Sequence, residues 1–331
     1  ASTACGGWHF GLHSTSLVAR HEQRAEKLKA RQEKLVQQVA ETEADLAELQ
    51  GQIEQAQRNA AEARPAPEQT RKGGGQQLEG RIAAPSFVIA ANVADNASFL
   101  AHKVDEVGLC LFETRGCLDY GPADLPASLA HLPLRWHAHL PVDLPWPASA
   151  AANATRPARE AAQLALAVLD RVHTLVPQMT LQAAVLHPPE GSPALQRRML
   201  ADFARRWHAQ EHAAPPLLLE NVAHSDVFCL GGSFLADHGL GLCLDVGHLL
   251  GYVQKGLLHS ALPRQAAMLH WSAPGNGDQH LPLTAFTPEQ RHIAQGLMAD
   301  APPTATHMVE VFNWDGLSAS LPVLAALAGE D

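Results

Sequence analysis

Downstream of Pro85 the sequence alternates short apolar runs with polar loops and helix-favouring stretches, and this alternation limits the fold more than any other feature. The runs cover residues 86–90, 107–112, 134–139, 181–187, 217–221, 241–245, 266–271 and 307–312. Runs of this length bounded by turn residues read as strands buried on both faces. Stretches such as 158–176 and 195–208 are rich in helix formers and read as the helices between them. Eight strand–helix units in roughly 250 residues predict an α/β fold, a (β/α)8 TIM barrel. A doubly wound open sheet is the structural alternative, but no GxGxxG follows the first run.

The first fifth of the chain is a different object. All 23 prolines lie at or after Pro65, and residues 17–64 are dominated by Ala, Glu, Gln, Lys, Arg and Leu, with Gly51 alone interrupting. Leu35, Val39, Thr42, Leu46, Leu49, Ile53, Ala56 and Ala60 alternate spacings of four and three, a heptad seam that needs a partner helix to bury it. A long N-terminal coiled-coil-like helix is therefore expected, with homodimerisation through it. Pro65 and Pro67 end the helix, and residues 71–77 read as a Gly-rich linker. The expected organisation is a helical arm with its linker over 1–80 and a barrel domain over 81–331.

Lys plus Arg number 24 against 34 for Asp plus Glu, a formal charge of -10, so a nucleic-acid partner is not expected. Cys5, Cys110, Cys117, Cys229 and Cys243 are odd in number and form no CxxC, which reads as reduced thiols, with Cys110 and Cys243 in the core. No run approaches the ~18 to 20 apolar residues of a membrane span, and the N-terminus lacks a signal-peptide pattern. A cytoplasmic protein with no membrane partner is expected. Asn96 and Asn153 match the glycosylation pattern, which such a protein does not use.

The chemistry lies where the apolar runs end. The third closes on His139, the fourth on His187 and the sixth on Asp245, with His248 three residues later, and the fifth carries Glu220 one residue before its end. The seventh carries His270, the loop after it Asp278 and His280, and the eighth Glu310. Barrel active sites form at the C-terminal ends of the strands, so these side chains would converge on one mouth. A lone His or Asp at such a place is more often packing or capping than ligation. Nine together, buried without cations, would leave carboxylates desolvated and imidazoles unpaired. Five imidazoles and four carboxylates suit two or three divalent metal ions, with zinc first and Mn or Fe as alternatives. Glu220, Glu310 and Asp245 are the expected catalytic residues. Glu113, at the end of the second run, is a candidate substrate-binding residue, and His137 is expected to pack deeper inside the barrel.

Taken together these residues resemble the xylose-isomerase-like TIM barrels that include the endonuclease IV family. In order and by strand, His139, His187, Glu220, Asp245, His248, His270, Asp278, His280 and Glu310 match the nine ligands of that family's trinuclear zinc site. The resemblance implies that His139, His187 and Glu220 hold a first metal, that Asp245, His270 and Glu310 complete a second bridged by Glu220, and that His248, Asp278 and His280 hold a third. No counterpart of the DNA-penetrating loops is present, so DNA repair is not implied. A closer resemblance is to the cobamide-remodelling phosphodiesterases of the same superfamily. It rests on SFVIAANVADNASFLAHKVDEVGLCLFET at 86–114, RWHAHLPVDL at 135–144, LLLENV at 217–222, CLDVGHLLGY at 243–252, GNGDQHLPL at 275–283 and VEVFN at 309–313. It implies a corrinoid substrate, a cobamide, whose nucleotide-loop phosphodiester is hydrolysed to cobinamide phosphate and a lower-ligand riboside.

The main rival is a single-metal sugar isomerase or epimerase on the same barrel, for which Glu220, Asp245, His270 and Glu310 would suffice. His139, His187, His248, Asp278 and His280 would then have no required task. A non-enzymatic cobamide carrier is a third reading, and it needs no such collection of anionic ligands.

Overall fold

The structure is a computed structural model and describes residues 81–146, 155–210 and 214–329, besides Lys29. The arm, seam and linker expected over 1–80 lie outside the described residues.

Eight parallel strands close into a barrel in the order β1, β2, β3, β4, β5, β6, β7, β10, with β10 returning to β1. They are β1 (Arg81–Pro85), β2 (Glu106–Cys110), β3 (Arg135–His139), β4 (Leu181–Leu186), β5 (Leu217–Glu220), β6 (Leu240–Asp245), β7 (Ala266–Trp271) and β10 (Thr306–Val309). A two-stranded antiparallel ribbon of β8 (Ala273–Pro274) and β9 (His280–Leu281) sits on the loop after β7. Helices such as Thr155–Leu175, Pro193–His208 and Trp314–Gly329 follow the strands. Apolar side chains between strands and helices make the main core, in which Trp207, Trp271, Phe203 and Phe234 are fully buried. The expected helices start a little early: Ser192 caps the second through the Leu195 N–H, and Pro193 occupies its first turn.

The first strand corrects the sequence expectation. It runs over Arg81–Pro85, and the apolar run 86–90 is instead a bend. The buried side chain of Asn96 explains this, because its Oδ1 accepts from the Val88 and Ile89 N–H groups at 2.7 and 2.9 Å. Its Nδ2 donates to the carbonyls of Ile89, Ala91 and Asn92 at 3.2, 3.0 and 3.0 Å. The Ser86 N–H still donates to the Gly108 carbonyl of β2 at 2.9 Å, but from Val88 onward the backbone groups that Asn96 takes are not free for a neighbouring strand.

Inside the barrel the side chains stack in layers, because alternate residues of each strand point inward. Ala183, Val185, Leu218, Cys243 and Met268 form one apolar interior cluster. Two residues beyond Val185, Leu218, Cys243 and Met268 stand His187, Glu220, Asp245 and His270. The apolar layer is therefore the floor on which the polar mouth is built.

The opposite end is closed by a buried polar plug. His137 is fully buried and donates from Nδ1 to Glu106 Oε1 at 2.7 Å, while Glu106 Oε2 lies 3.4 Å from Arg81 Nε and 3.6 Å from Arg135 Nε. Burial acts to raise the Glu106 carboxyl, but His137 and the two guanidinium groups outweigh it and hold it below its ordinary value. Gly108 pairs with His137 across the β2–β3 ladder, and a Cβ there would stand 2.5 Å from His137 Nε2. His137 thus packs inside the barrel as expected, and Gly108 makes the space.

Candidate metal centre

Each of the nine donors reaches the mouth by a local rule. His139, Glu220 and Asp245 are the last residues of β3, β5 and β6, and His187 and Glu310 directly follow β4 and β10. His270 is the penultimate residue of β7 and pairs in register with Asp245. His248 is set by the helix Val246–Gly251, whose N-cap is Asp245 itself, with Asp245 Oδ1 accepting from the His248 N–H at 2.5 Å. The ribbon carries His280 back over the barrel.

Glu220 is central. Its Oε2 lies 3.3 Å from His139 Nε2, 3.5 Å from His187 Nε2 and 3.6 Å from His270 Nδ1. Glu310 Oε2 lies 2.8 Å from His270 Nδ1 and 3.3 Å from His280 Nε2, and Asp245 Oδ2 lies 3.8 Å from His280 Nε2. Ligand atoms close enough to share an ion fall into overlapping sets: His139, His187 and Glu220; Glu220, Asp245, His270 and Glu310; Asp245, His248 and His280. A further set joins Cys243 to Glu220 and His270, although burial pushes that thiol up to about 12 and the cysteine packs in the apolar floor.

The first two sets match the grouping that the resemblance implied. The third differs, because Asp245 rather than Asp278 joins His248 and His280. Asp278 is exposed and accepts from His248 Nε2 at 2.7 Å, so it pairs with one member of the set. Glu113 is exposed, stands at the N-cap of the short helix Thr114–Leu118 and is not among the residues that line the mouth cavity.

The residues present fit a cation. Glu220 Oε2, Asp245 Oδ2, Glu310 Oε2 and both ring nitrogens of His270 are buried and make no hydrogen bond. Such groups are costly to bury unless something further engages them. The histidines are also oriented as ligands. His139, His248 and His280 each place Nδ1 on a backbone carbonyl, of Leu140, Asn221 and Asp278 at 3.0, 2.9 and 3.2 Å. An Nδ1–H held this way makes Nε2 the ligating atom, the arrangement typical of metal-binding histidine, although in His248 that atom is engaged by Asp278.

The charges are strongly coupled. Burial would raise Glu220, but His187 and His270 beside it hold its carboxyl well below the usual carboxylate range, and His270 and His280 do the same for Glu310. Asp245 is pushed up to about 7 by burial, with His248 opposing and the Glu220 and Glu310 charges adding. Burial lowers His248 and His280, yet the carboxylates around them raise the two to about 10 and about 9. The negative field that raises His248 and His280 would equally favour divalent cations among these donors.

Asn221 carries no signal of its own in the sequence, yet it supports two donors. Its side chain brackets the Asp245 peptide and its carbonyl accepts from His248. Gln254 completes this bracing, accepting from Asn221 Nδ2 at 2.8 Å and donating to the Val222 carbonyl at 2.8 Å.

No protein-family model matches the chain, and no curated protein matches it. Solved structures do resemble it. A D-tagatose 3-epimerase-like protein is 14% identical, with a TM-score of 0.53 over 75% of this chain and 96% of that one. Endonuclease IV from Thermus thermophilus is 17% identical, with a TM-score of 0.53 over 75% of this chain and 98% of that one. The IOLI protein, solved with a zinc atom, is 12% identical, with a TM-score of 0.52 over 75% of this chain and 95% of that one. These likenesses establish a shared barrel fold.

Proposed function

We propose that the barrel mouth is a multinuclear divalent-metal centre and that the protein is a phosphodiesterase cleaving the nucleotide-loop phosphodiester of cobamides, to give cobinamide phosphate and a lower-ligand riboside. One observation carries the class of reaction: three overlapping donor sets at one mouth, more than a single ion can use. The cobamide substrate rests on the segments from 86 to 313 that resemble the cobamide-remodelling enzymes.

Divalent ions bound there would lower the pKa of water toward neutrality and offset charge on the phosphoryl and leaving oxygens. His139, His187 and His280 would hold these ions through Nε2, and His248 through the same atom once it releases Asp278. Glu220 or Glu310, at the centre and ionised, would orient the attacking water, whose proton leaves to solvent at the open mouth. Its oxygen adds to phosphorus as the bond to the ester oxygen breaks, and the departing oxygen takes a proton from solvent at the open mouth. Water being the nucleophile, no covalent intermediate is needed, and Cys243 and Cys110 do not offer one, since both are buried and burial pushes their thiols up to about 12.

A sugar isomerase or epimerase is the second reading, favoured by the compact set of Glu220, Asp245, His270 and Glu310. Two measurements separate the two. Metal-loaded protein incubated with an adenosylated cobamide should release cobinamide phosphate, and elemental analysis should find two or three divalent ions per chain. One ion per chain and no phosphate product would favour the epimerase.

A further inference from the structure

The donors do not encircle the mouth. They come from β3 to β7, from β10 and from the loop after β7, whereas β1 and β2 supply none. On that side the wall is aromatic. Phe112, just past β2, stands edge-on to His139 with ring centroids 5.5 Å apart, and Phe312, just past β10, stands edge-on to His280 at 5.4 Å. The two phenyl rings meet each other at 5.9 Å and 68°. With Val142 they line the same cavity of roughly 410 Å³ as Glu220 and Glu310, a size that holds a whole small ligand rather than a phosphoryl group alone.

Phe312 is 37% exposed and Val142 50%. The other large exposed apolar side chains among the described residues are Phe228, which opens a short 3-10 helix between β5 and β6, and Val253, which follows the helix Val246–Gly251 between β6 and β7. Apolar surface left open at a ligand mouth stabilises whatever covers it. Since Phe112 and Phe312 line a cavity, what covers them must be a group small enough to enter.

We propose that Phe112 and Phe312 form a specificity wall that receives a planar aromatic ring of the substrate while its phosphoryl group lies against the donors opposite. This rests on reading the donors as a phosphoryl site. Phenyl rings already packed edge to face present further edges and faces to a third ring, an arrangement that favours aromatic over alkyl groups. The wall would therefore rank phosphoesters by the ring they carry, with no part in the bond cleavage.

The test uses phenylphosphonate and methylphosphonate as probes, titrated calorimetrically into the metal-loaded protein. The readout is the ratio of their affinities, expected to favour phenylphosphonate by about tenfold or more. Phe312→Leu and Phe112→Leu should each reduce that ratio at least about threefold at unchanged metal content, and Phe312→Tyr should retain it. A wild-type ratio near one, or a ratio indifferent to both leucine variants, would overturn the wall. Its failure is distinguishable from that of the phosphodiesterase reading: aryl preference without cobamide hydrolysis supports the wall and rejects the reaction, and hydrolysis without preference does the reverse.

Discussion

The side-chain amide of Asn221 clasps the backbone of Asp245. The Asp245 N–H donates to Asn221 Oδ1 at 2.7 Å, and Asn221 Nδ2 donates to the Asp245 carbonyl at 2.9 Å. Both residues are fully buried, so the clasp fixes the strand end from which Asp245 and His248 reach the mouth. Asn221→Ala leaves that peptide unpaired and loosens the strand end, while the Asn221 backbone carbonyl that holds the His248 ring remains. Divalent-metal affinity is expected to fall by about 10- to 100-fold, with a stability loss of about 1 to 3 kcal/mol. Competition against a chromogenic chelator and a thermal melt measure the two, and an unchanged affinity would reduce Asn221 to a packing residue.

Asp245 is fully buried and pushed up to about 7, so the metal-free fold holds its negative charge at a cost. Asp245→Asn keeps the oxygen that caps His248 and removes that charge. The metal-free variant should melt at or above the metal-free wild type. It should then lose the stabilisation that zinc gives the wild type, about 2.7 kcal/mol at a hundredfold excess over Kd. A variant that gains as much from zinc as the wild type would remove Asp245 from the centre.

His307 offers a pH test away from the donors. It is buried, accepts from Trp271 Nε1 at 3.1 Å through Nδ1, and burial pushes it down to about 4. The unfolded chain titrates near the ordinary ~6.5, so between these values it binds the proton that the fold refuses. Stability from this group is therefore complete above about pH 6.5 and falls as pH drops toward 4, by about 3 kcal/mol in all. Denaturant unfolding at pH 7 and pH 4.5 should show a smaller drop for His307→Asn than for wild type; equal drops would place the acid sensitivity elsewhere.

The arm and the chemistry are expected to separate. A chain beginning at Gln76 keeps β1, whose first residue is Arg81, and all nine donors. It should retain full turnover on the cobamide and sediment as a monomer, where the full chain sediments as a dimer. Lost turnover in the folded short chain would join the arm to the site, and an unchanged oligomer would move the interface to the barrel.

Much of the site was legible because the rule that builds it is local. An inward residue of a strand is followed two positions later by another, so a His, Glu or Asp closing an apolar run falls at the mouth. The run at 266–271 coincides with β7; His139, His187 and Asp245 close their runs, and Glu220, His270 and Glu310 stand one or two residues before the end of theirs. The run at 86–90 misled for an equally local reason. Its apolar residues resemble a strand, but the side chain that takes its hydrogen bonds belongs to Asn96, on the following helix.

What the sequence determined by itself is the alternation of strand and helix, the polar ends of the strands and hence the donor set, since each follows from spacing along one element. Closure of the barrel decided the rest. Phe112 and Phe312 are two hundred positions apart and meet because β2 and β10 both pair with β1. Asn221 reaches Asp245 because β5 and β6 are neighbours. Asp278 yields its place beside His280 to Asp245 because the ribbon, not the strand, sets where the loop lies. No periodicity encodes such meetings, because they depend on which strand ends the closed sheet makes adjacent, a property of the whole fold rather than of any segment.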